Sequence, residues 1–136
     1  MTAADDRTQR WTQRCRAVPD AVAEIRHALV GYAETIGATS RALDAIALAV
    51  TEAATNAVLH AFVGAAPGHI AVTAEVAGDG RLLVLVADDG RGMAPRPDSC
   101  GLGLGLPLIT QLAQRVQIGR SADGGTAVRM EFDLDG

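Results

Sequence analysis

The feature that most constrains the fold is a run of six apolar residues, Leu82–Ala87, which ends in Asp88-Asp89-Gly90. A short apolar run bounded by turn residues is typical of a central strand. Before it, Gly78-Asp79-Gly80 predicts a hairpin turn, and residues 70–76 alternate apolar and polar side chains as a partner strand would. The chain is therefore expected to build a sheet around this strand.

The remaining elements follow from the same periodicities. Residues 10–17 indicate an edge strand, and Pro19-Asp20 begins a helix that should run to about residue 36. Ser40 is a good N-cap for a second helix to about residue 61. A third helix should end near residue 115, and a hairpin over 116–121 and 126–133 closes the chain. This order predicts an α+β two-layer sandwich, with a mostly antiparallel sheet and helices on one face.

The bulk composition fits one domain over residues 1–136, with residues 1–8 flexible. Hydrophobic residues make up 49% of the chain but aromatic residues only 3%, so the core must consist mainly of Ala, Val, Leu and Ile. On the second helix, the predicted core stripe consists of Leu43, Ile46, Ala47, Val50, Ala54, Ala57 and Ala61.

Charge and cysteine content exclude several classes of protein. A net charge of −4 disfavours a direct nucleic-acid binder. All 12 basic residues are Arg, so neither a P-loop nor a eukaryotic-type protein kinase, which both need a Lys on the phosphates, is represented. Cys15 and Cys100 fit no disulfide framework or metal spacing. We expect a cytoplasmic protein without a membrane span, because no leader and no apolar run of about 20 residues is found.

Polar residues interrupt the second helix at Glu52 and Asn56. They are four residues apart, which places them on one helix face with about 5–6 Å between Cβ atoms. A carboxylate can accept a proton from a hydroxyl group, and a neutral amide oxygen suits Mg²⁺. The same pair also fits a solvated polar stripe or a structural Asn–Glu hydrogen bond.

The end of the central strand is a second candidate for chemistry. A carboxylate at Asp88 would lie at the rim of the sheet, where it could accept a hydrogen bond from an exocyclic amine such as that of adenine. Gly90 and Gly92 would permit the close approach of a flat base. The alternative is an ordinary Asp-Gly turn.

Three alternating glycines form the third candidate, Gly101-Leu102-Gly103-Leu104-Gly105. The spacing differs from the Gly-x-Gly-x-x-Gly of dinucleotide-binding folds, and no strand precedes it. Glycines at a helix start nevertheless expose backbone N–H groups that suit phosphate. A tightly packed helix start is the alternative. Thr126 either begins the last strand or bonds near Asp88.

Taken together, these segments resemble the Bergerat-fold ATPases, which include the histidine kinases. The Glu52–Asn56 helix resembles their N box, residues 88–92 their first glycine box and residues 101–105 their second. Gly125-Thr126 resembles the short motif before their last strands. Within that superfamily the sequence is most similar to the bacterial anti-sigma-factor serine kinases, through residues 49–62.

This resemblance implies a role for each position. Glu52 would be the general base on a substrate serine, and Asn56 would hold Mg²⁺ and contact ATP. Asp88 would read adenine, with Gly90, Gly92 and Thr126 beside it. The backbone of the second glycine segment, with Leu102 and Leu104 between its glycines, would surround the phosphates.

The resemblance also implies partners. These are a STAS-type anti-anti-sigma protein as substrate, a sigma factor held inactive, and a second copy in a homodimer. Three alternatives remain open on these residues. One is a nucleotide-gated binding module without chemistry, and another is a switch kinase of a stress-signalling complex that binds no sigma factor. The third is a purely structural α+β domain whose glycines serve only packing.

Overall fold

The computed structural model describes residues 10–61, 68–90, 108–122 and 124–136. Its elements in chain order are β1 (Trp11–Arg16), α1 (Pro19–Thr35), α2 (Ser40–Asn56), a π-helical turn (Ala57–Ala61), β2 (His69–Val76), β3 (Leu82–Asp88), β4 (Arg115–Arg120) and β5 (Thr126–Phe132). Residues 108–112 are also helical.

The five strands form one sheet in the order β1-β2-β3-β5-β4, with antiparallel pairing throughout. The apolar run therefore lies in the middle of the sheet, as predicted, with β2 on one side and β5 on the other. Helices α1 and α2 pack against each other, and α2 contacts β3 and β5. The predicted α+β two-layer sandwich is confirmed.

The core lies between the helices and one face of the sheet. It contains almost no aromatic residue except Phe132, and small side chains on α2 let that helix approach the sheet closely. At the edge strand, Trp11 on β1 stacks with Tyr32 on α1, with ring centroids 6.1 Å apart. This contact ties β1 to the helical layer.

Three local predictions need correction. The buried stripe of α2 contains Ala49 and Ala53, not Ala47. The side chain that caps α2 is Thr39, whose Oγ1 accepts from the Ala42 N–H at 3.2 Å, because Ser40 is already in the helix. The third helix ends at residue 112 rather than near 115, since Arg115 already pairs with β5.

Helix α2 and its π-helical extension are long and apolar enough, over Ser40–Leu59, to cross a membrane by length and composition alone. Several alanines of this helix pack into the core of the domain. In the part of the chain described, it is the one helix of this kind.

Candidate functional site

Asp88 is the last residue of the central strand, and its side chain is buried. It follows Leu82, Val84 and Val86 in the alternation of β3, so its carboxylate points to the helical layer. Only 6% of the residue is exposed, and it is the one buried charged residue among those the structure describes. A buried charge is costly unless it is bonded, so its partners define what the site can do.

Two backbone N–H groups hold the Asp88 carboxylate. The amide of Gly90 donates to Oδ1 at 2.9 Å, and the amide of Thr126 donates to the same oxygen at 3.2 Å. Burial raises the pKa of Asp88, while these two bonds lower it and the charge of Asp89 raises it. Because both bonds use Oδ1, the second oxygen is the one that can accept a hydrogen bond from a ligand.

Asp89 belongs to a different environment, although it is the next residue. Its Oδ1 accepts from the His69 N–H at 2.8 Å, and its Oδ2 lies 3.7 Å from His69 Nδ1 and 3.9 Å from an Arg14 nitrogen. The structure therefore separates the acidic pair, with Asp88 facing the candidate site and Asp89 joined to β1 and β2.

The turn between β4 and β5 packs directly on Asp88. A Cβ added at Gly125 would collide with the carbonyl oxygen and Oδ1 of Asp88, so this position requires glycine. Ser121 donates from its Oγ to the Asp88 carbonyl oxygen at 2.7 Å. The sequence alone did not indicate Ser121 as a site residue, because a serine beside Ala-Asp-Gly-Gly is typical of an ordinary turn.

Glu52 and Asn56 lie one turn apart on α2, and both are half-buried. Beside them, Thr51 Oγ1 donates to the Ala47 carbonyl at 2.7 Å, and Arg26 Nη1 lies 3.5 Å from the same hydroxyl. Asn56 ends the regular helix, and the π-helical turn that begins at the next residue contacts β3. Turns of this kind are frequent at functional sites.

The structure therefore brings three predicted residues together, namely Asp88, Gly90 and Thr126. Glu52 and Asn56 lie on the helix that packs over the same sheet. The predicted residues Gly92, Gly101, Leu102, Gly103, Leu104 and Gly105 lie outside the described residues. Within the ranges that are described, no group of three or more His, Cys, Asp or Glu side chains could hold a metal ion.

An antiparallel sheet under two helices, with an anchored carboxylate at the end of its central strand and an Asn-bearing helix packed on it, defines an α+β domain of the ATPase type. Residues 15–132 match the histidine kinase-like ATPase domain family. The chain belongs to this family, and the predicted resemblance is confirmed.

Curated relatives narrow the comparison. The chain is 33% identical to the serine-protein kinase RsbW of Bacillus subtilis over 135 aligned residues, covering 88% of this chain and 82% of RsbW. It is 27% identical to the anti-sigma F factor of Heyndrickxia coagulans over 96 residues, covering 62% of this chain and 65% of that protein.

Among solved structures, the chain is similar to the RsbU and RsbW domains of Rv1364c from Mycobacterium tuberculosis, with a TM-score of 0.74 and 27% identity. This match covers 93% of the chain but only 33% of the larger protein. A histidine kinase domain from Erythrobacter litoralis gives a TM-score of 0.61 at 28% identity, over 85% of this chain and 60% of that one.

Proposed function

We propose that this chain is an ATP-dependent serine protein kinase of the anti-sigma type. It would phosphorylate a serine of a STAS-type anti-anti-sigma protein and hold a sigma factor inactive in the cytoplasm. The observation that carries the proposal is the buried Asp88 carboxylate, anchored on one oxygen by Gly90 and Thr126, in a chain 33% identical to RsbW serine-protein kinases.

The environment of Asp88 fits an adenine base. Two N–H donors fix the carboxylate through Oδ1, so Oδ2 can accept from the 6-amino group of adenine. Because Gly125 has no side chain, the turn between β4 and β5 can pack directly against Asp88. A preformed acceptor of this kind costs little reorganisation when the ligand binds.

Asn56 fits Mg²⁺ as a single neutral ligand. Mg²⁺ in nucleotide sites is usually held by few protein oxygens and by the phosphates of the substrate. When bound, Mg²⁺ would neutralise charge on the phosphate groups. The predicted contacts of residues 101–105 with the phosphates complete the proposal.

Glu52 would serve as the general base. Its carboxylate is half-buried on α2, one turn before Asn56, so it can meet a serine hydroxyl presented by a partner protein. In the reaction, Glu52 would accept the hydroxyl proton while the serine oxygen bonds to the terminal phosphorus and ADP leaves. Positioning and charge neutralisation supply most of the acceleration in phosphoryl transfer.

The direct test combines the chain with labelled ATP, Mg²⁺ and a cognate STAS-type protein. The expected product is phosphoserine on the partner, with ADP formed in equal amount. ATP binding without any phosphoserine would reject the kinase and favour the nucleotide-gated binding module. Phosphoserine without capture of a sigma factor would favour the switch kinase of a stress-signalling complex.

We also propose a homodimer, for which the open face of the sheet is suited. Leu83, Leu85 and Ala87 of β3 and Ala127 of β5 lie half-buried on the face opposite the helices. Part of this face forms a depression of about 780 Å³. Sedimentation at twice the monomer mass would support the dimer, which Leu85→Glu should dissociate; a monomer at micromolar concentration would contradict it.

A further inference from the structure

Ser121 joins three segments of the chain around Asp88. It follows the last residue of β4, and its Oγ donates to the Asp88 carbonyl oxygen at 2.7 Å while accepting from the Gly125 N–H at 2.9 Å. Its backbone closes the turn as well, because its N–H donates to the Gly125 carbonyl at 2.9 Å and its carbonyl accepts from Gly124 at 3.0 Å. One hydroxyl therefore fastens the turn to the end of β3.

This connection reaches the Asp88 carboxylate through the next residue. The amide of Thr126 donates to Asp88 Oδ1 at 3.2 Å, and Thr126 directly follows Gly125, whose amide is bonded to Ser121. Asp88 is thus held at its carbonyl by Ser121 and at its carboxylate by Thr126 and Gly90. Without the Ser121 hydroxyl, the Asp88 carbonyl and the Gly125 amide would both lose these bonds.

We propose that Ser121 is a positioning residue for base recognition, which sets the direction of the Asp88 carboxylate and thereby the preference for adenine over guanine. The proposal rests on the assignment of Asp88 as the residue that reads the base. Ser121 would not touch the nucleotide. It would act through the β4–β5 turn.

The chemistry of the two bases explains why direction matters. Adenine carries an amino donor at position 6, whereas guanine carries a carbonyl acceptor there. A carboxylate that is fixed through one oxygen accepts a hydrogen bond from the adenine amine and repels the guanine carbonyl oxygen. A site that bonds a substrate N–H discriminates strongly against an analogue that lacks it, provided the acceptor is held in place. A loosened Asp88 would bind ATP more weakly and tell it less well from GTP.

The experiment measures dissociation constants for ATP and GTP with Mg²⁺ by calorimetry, well below the midpoint of thermal unfolding. Ser121→Ala should weaken ATP binding by about tenfold, the change expected from one lost hydrogen bond. GTP binding should change less, so the preference for ATP over GTP should decrease. Ser121→Thr keeps the hydroxyl and should retain both affinities. Ala122→Ser, an exposed neighbour in the same turn, serves as the control.

Amide exchange in the nucleotide-free protein provides a readout that does not depend on ATP. Loss of the Ser121 hydroxyl should speed exchange at Gly125 and Thr126, while Ser121→Thr should not. If the wild-type chain bound no ATP, the proposed function would fail, and the exchange rates would still decide whether Ser121 holds the turn on Asp88.

Wild-type ATP and GTP affinities in Ser121→Ala would overturn the proposal, as would unchanged exchange at Thr126. Should Ser121→Ala not fold, Ser121→Cys is the substitute, because a thiol is a weak donor of similar size. It should lose part of the adenine preference, and a full preference in this variant would also count against the proposal.

Discussion

Asp88 and Glu52 are both carboxylates of the candidate site, yet the fold holds them differently. Asp88 is buried at the end of a central strand, and the backbone of two separate segments bonds to one of its oxygens. Glu52 is half-buried on the surface of α2. Asp88 is therefore fixed within the buried part of the fold, whereas the Glu52 side chain lies on a surface that a partner protein can approach.

This contrast separates recognition from chemistry. A change at Asp88 or the turn against it should alter both nucleotide affinity and the stability of the fold. A change at Glu52 should alter the rate of transfer and leave the fold intact. The following predictions test that separation, from the largest expected effect to the smallest.

Glu52→Gln should reduce serine phosphorylation by about 10²–10⁴-fold, the usual contribution of a general base. ATP affinity and the midpoint of thermal unfolding should not change, because Gln has nearly the helix propensity of Glu. Phosphoserine formation and calorimetry measure the two quantities. Glu34→Gln, an exposed change on α1, is the matched control. Phosphotransfer at the wild-type rate would remove Glu52 from the mechanism.

Asp88→Asn should weaken ATP binding by about 100-fold, since it loses a charged acceptor and puts an amide N–H₂ where the adenine amine would donate. The free energy of unfolding of this variant should increase instead. Burial raises the pKa of Asp88 in the folded protein, so folding favours the protonated form. In the window between the ordinary and the raised value, the folded state binds more protons, and the free energy of unfolding falls as pH rises.

Asp88→Asn removes this ionisation, while the oxygen of the Asn side chain can still accept both backbone hydrogen bonds. The unfolding free energy of the variant relative to wild type should therefore increase as pH rises through that window, and the advantage should persist at neutral pH. Denaturant unfolding from pH 4 to 8 measures the difference. A variant less stable than wild type at neutral pH, with the same dependence on pH, would show that the Asp88 carboxylate carries no burial cost.

Gly125→Ala should damage recognition and folding together. The new methyl group would meet the Asp88 carbonyl oxygen and Oδ1, so the turn or the strand end must shift. We expect a destabilisation of about 1–3 kcal/mol, as for other overpacked sites, and a loss of ATP affinity of about tenfold. Gly119→Ala on β4, where nothing lies within 4 Å of the added atom, is the control. Equal stability and equal ATP affinity of the two variants would contradict the contact between Gly125 and Asp88.

The sequence predicted the parts of this molecule that depend on local pattern. The apolar run of β3, the hairpin turn after β2 and the Glu52–Asn56 spacing each follow from periodicity or turn chemistry, and the ordered motifs indicated the family. The parts it missed depend on tertiary contacts. Ser121 is distinguished only by its approach to a residue 33 positions earlier, and nothing in its own neighbourhood indicates this.

Small offsets have a similar origin. Alanine occurs on several faces of α2, so composition alone could not decide that Ala49 and Ala53, rather than Ala47, face the sheet. Thr39 and Ser40 are both good N-caps, and only the backbone conformation selects Thr39. The third helix ends early because pairing of Arg115 with Glu131 on β5 takes precedence over helical periodicity.

Thr39→Ala should have the smallest effect of these substitutions. It tests whether a change at the N-terminal end of α2 leaves the candidate site unaffected. Loss of the cap on the Ala42 N–H should cost about 1 kcal/mol of stability and lower the unfolding midpoint by a few degrees. Glu52 lies 13 residues further along the helix, roughly 20 Å away, so ATP affinity and phosphotransfer should stay at wild-type values. Thr39→Ser, which can still accept from Ala42, should recover the stability. A loss of phosphotransfer in Thr39→Ala at a temperature where the protein is folded would mean that Glu52 depends on more than its own turn of helix.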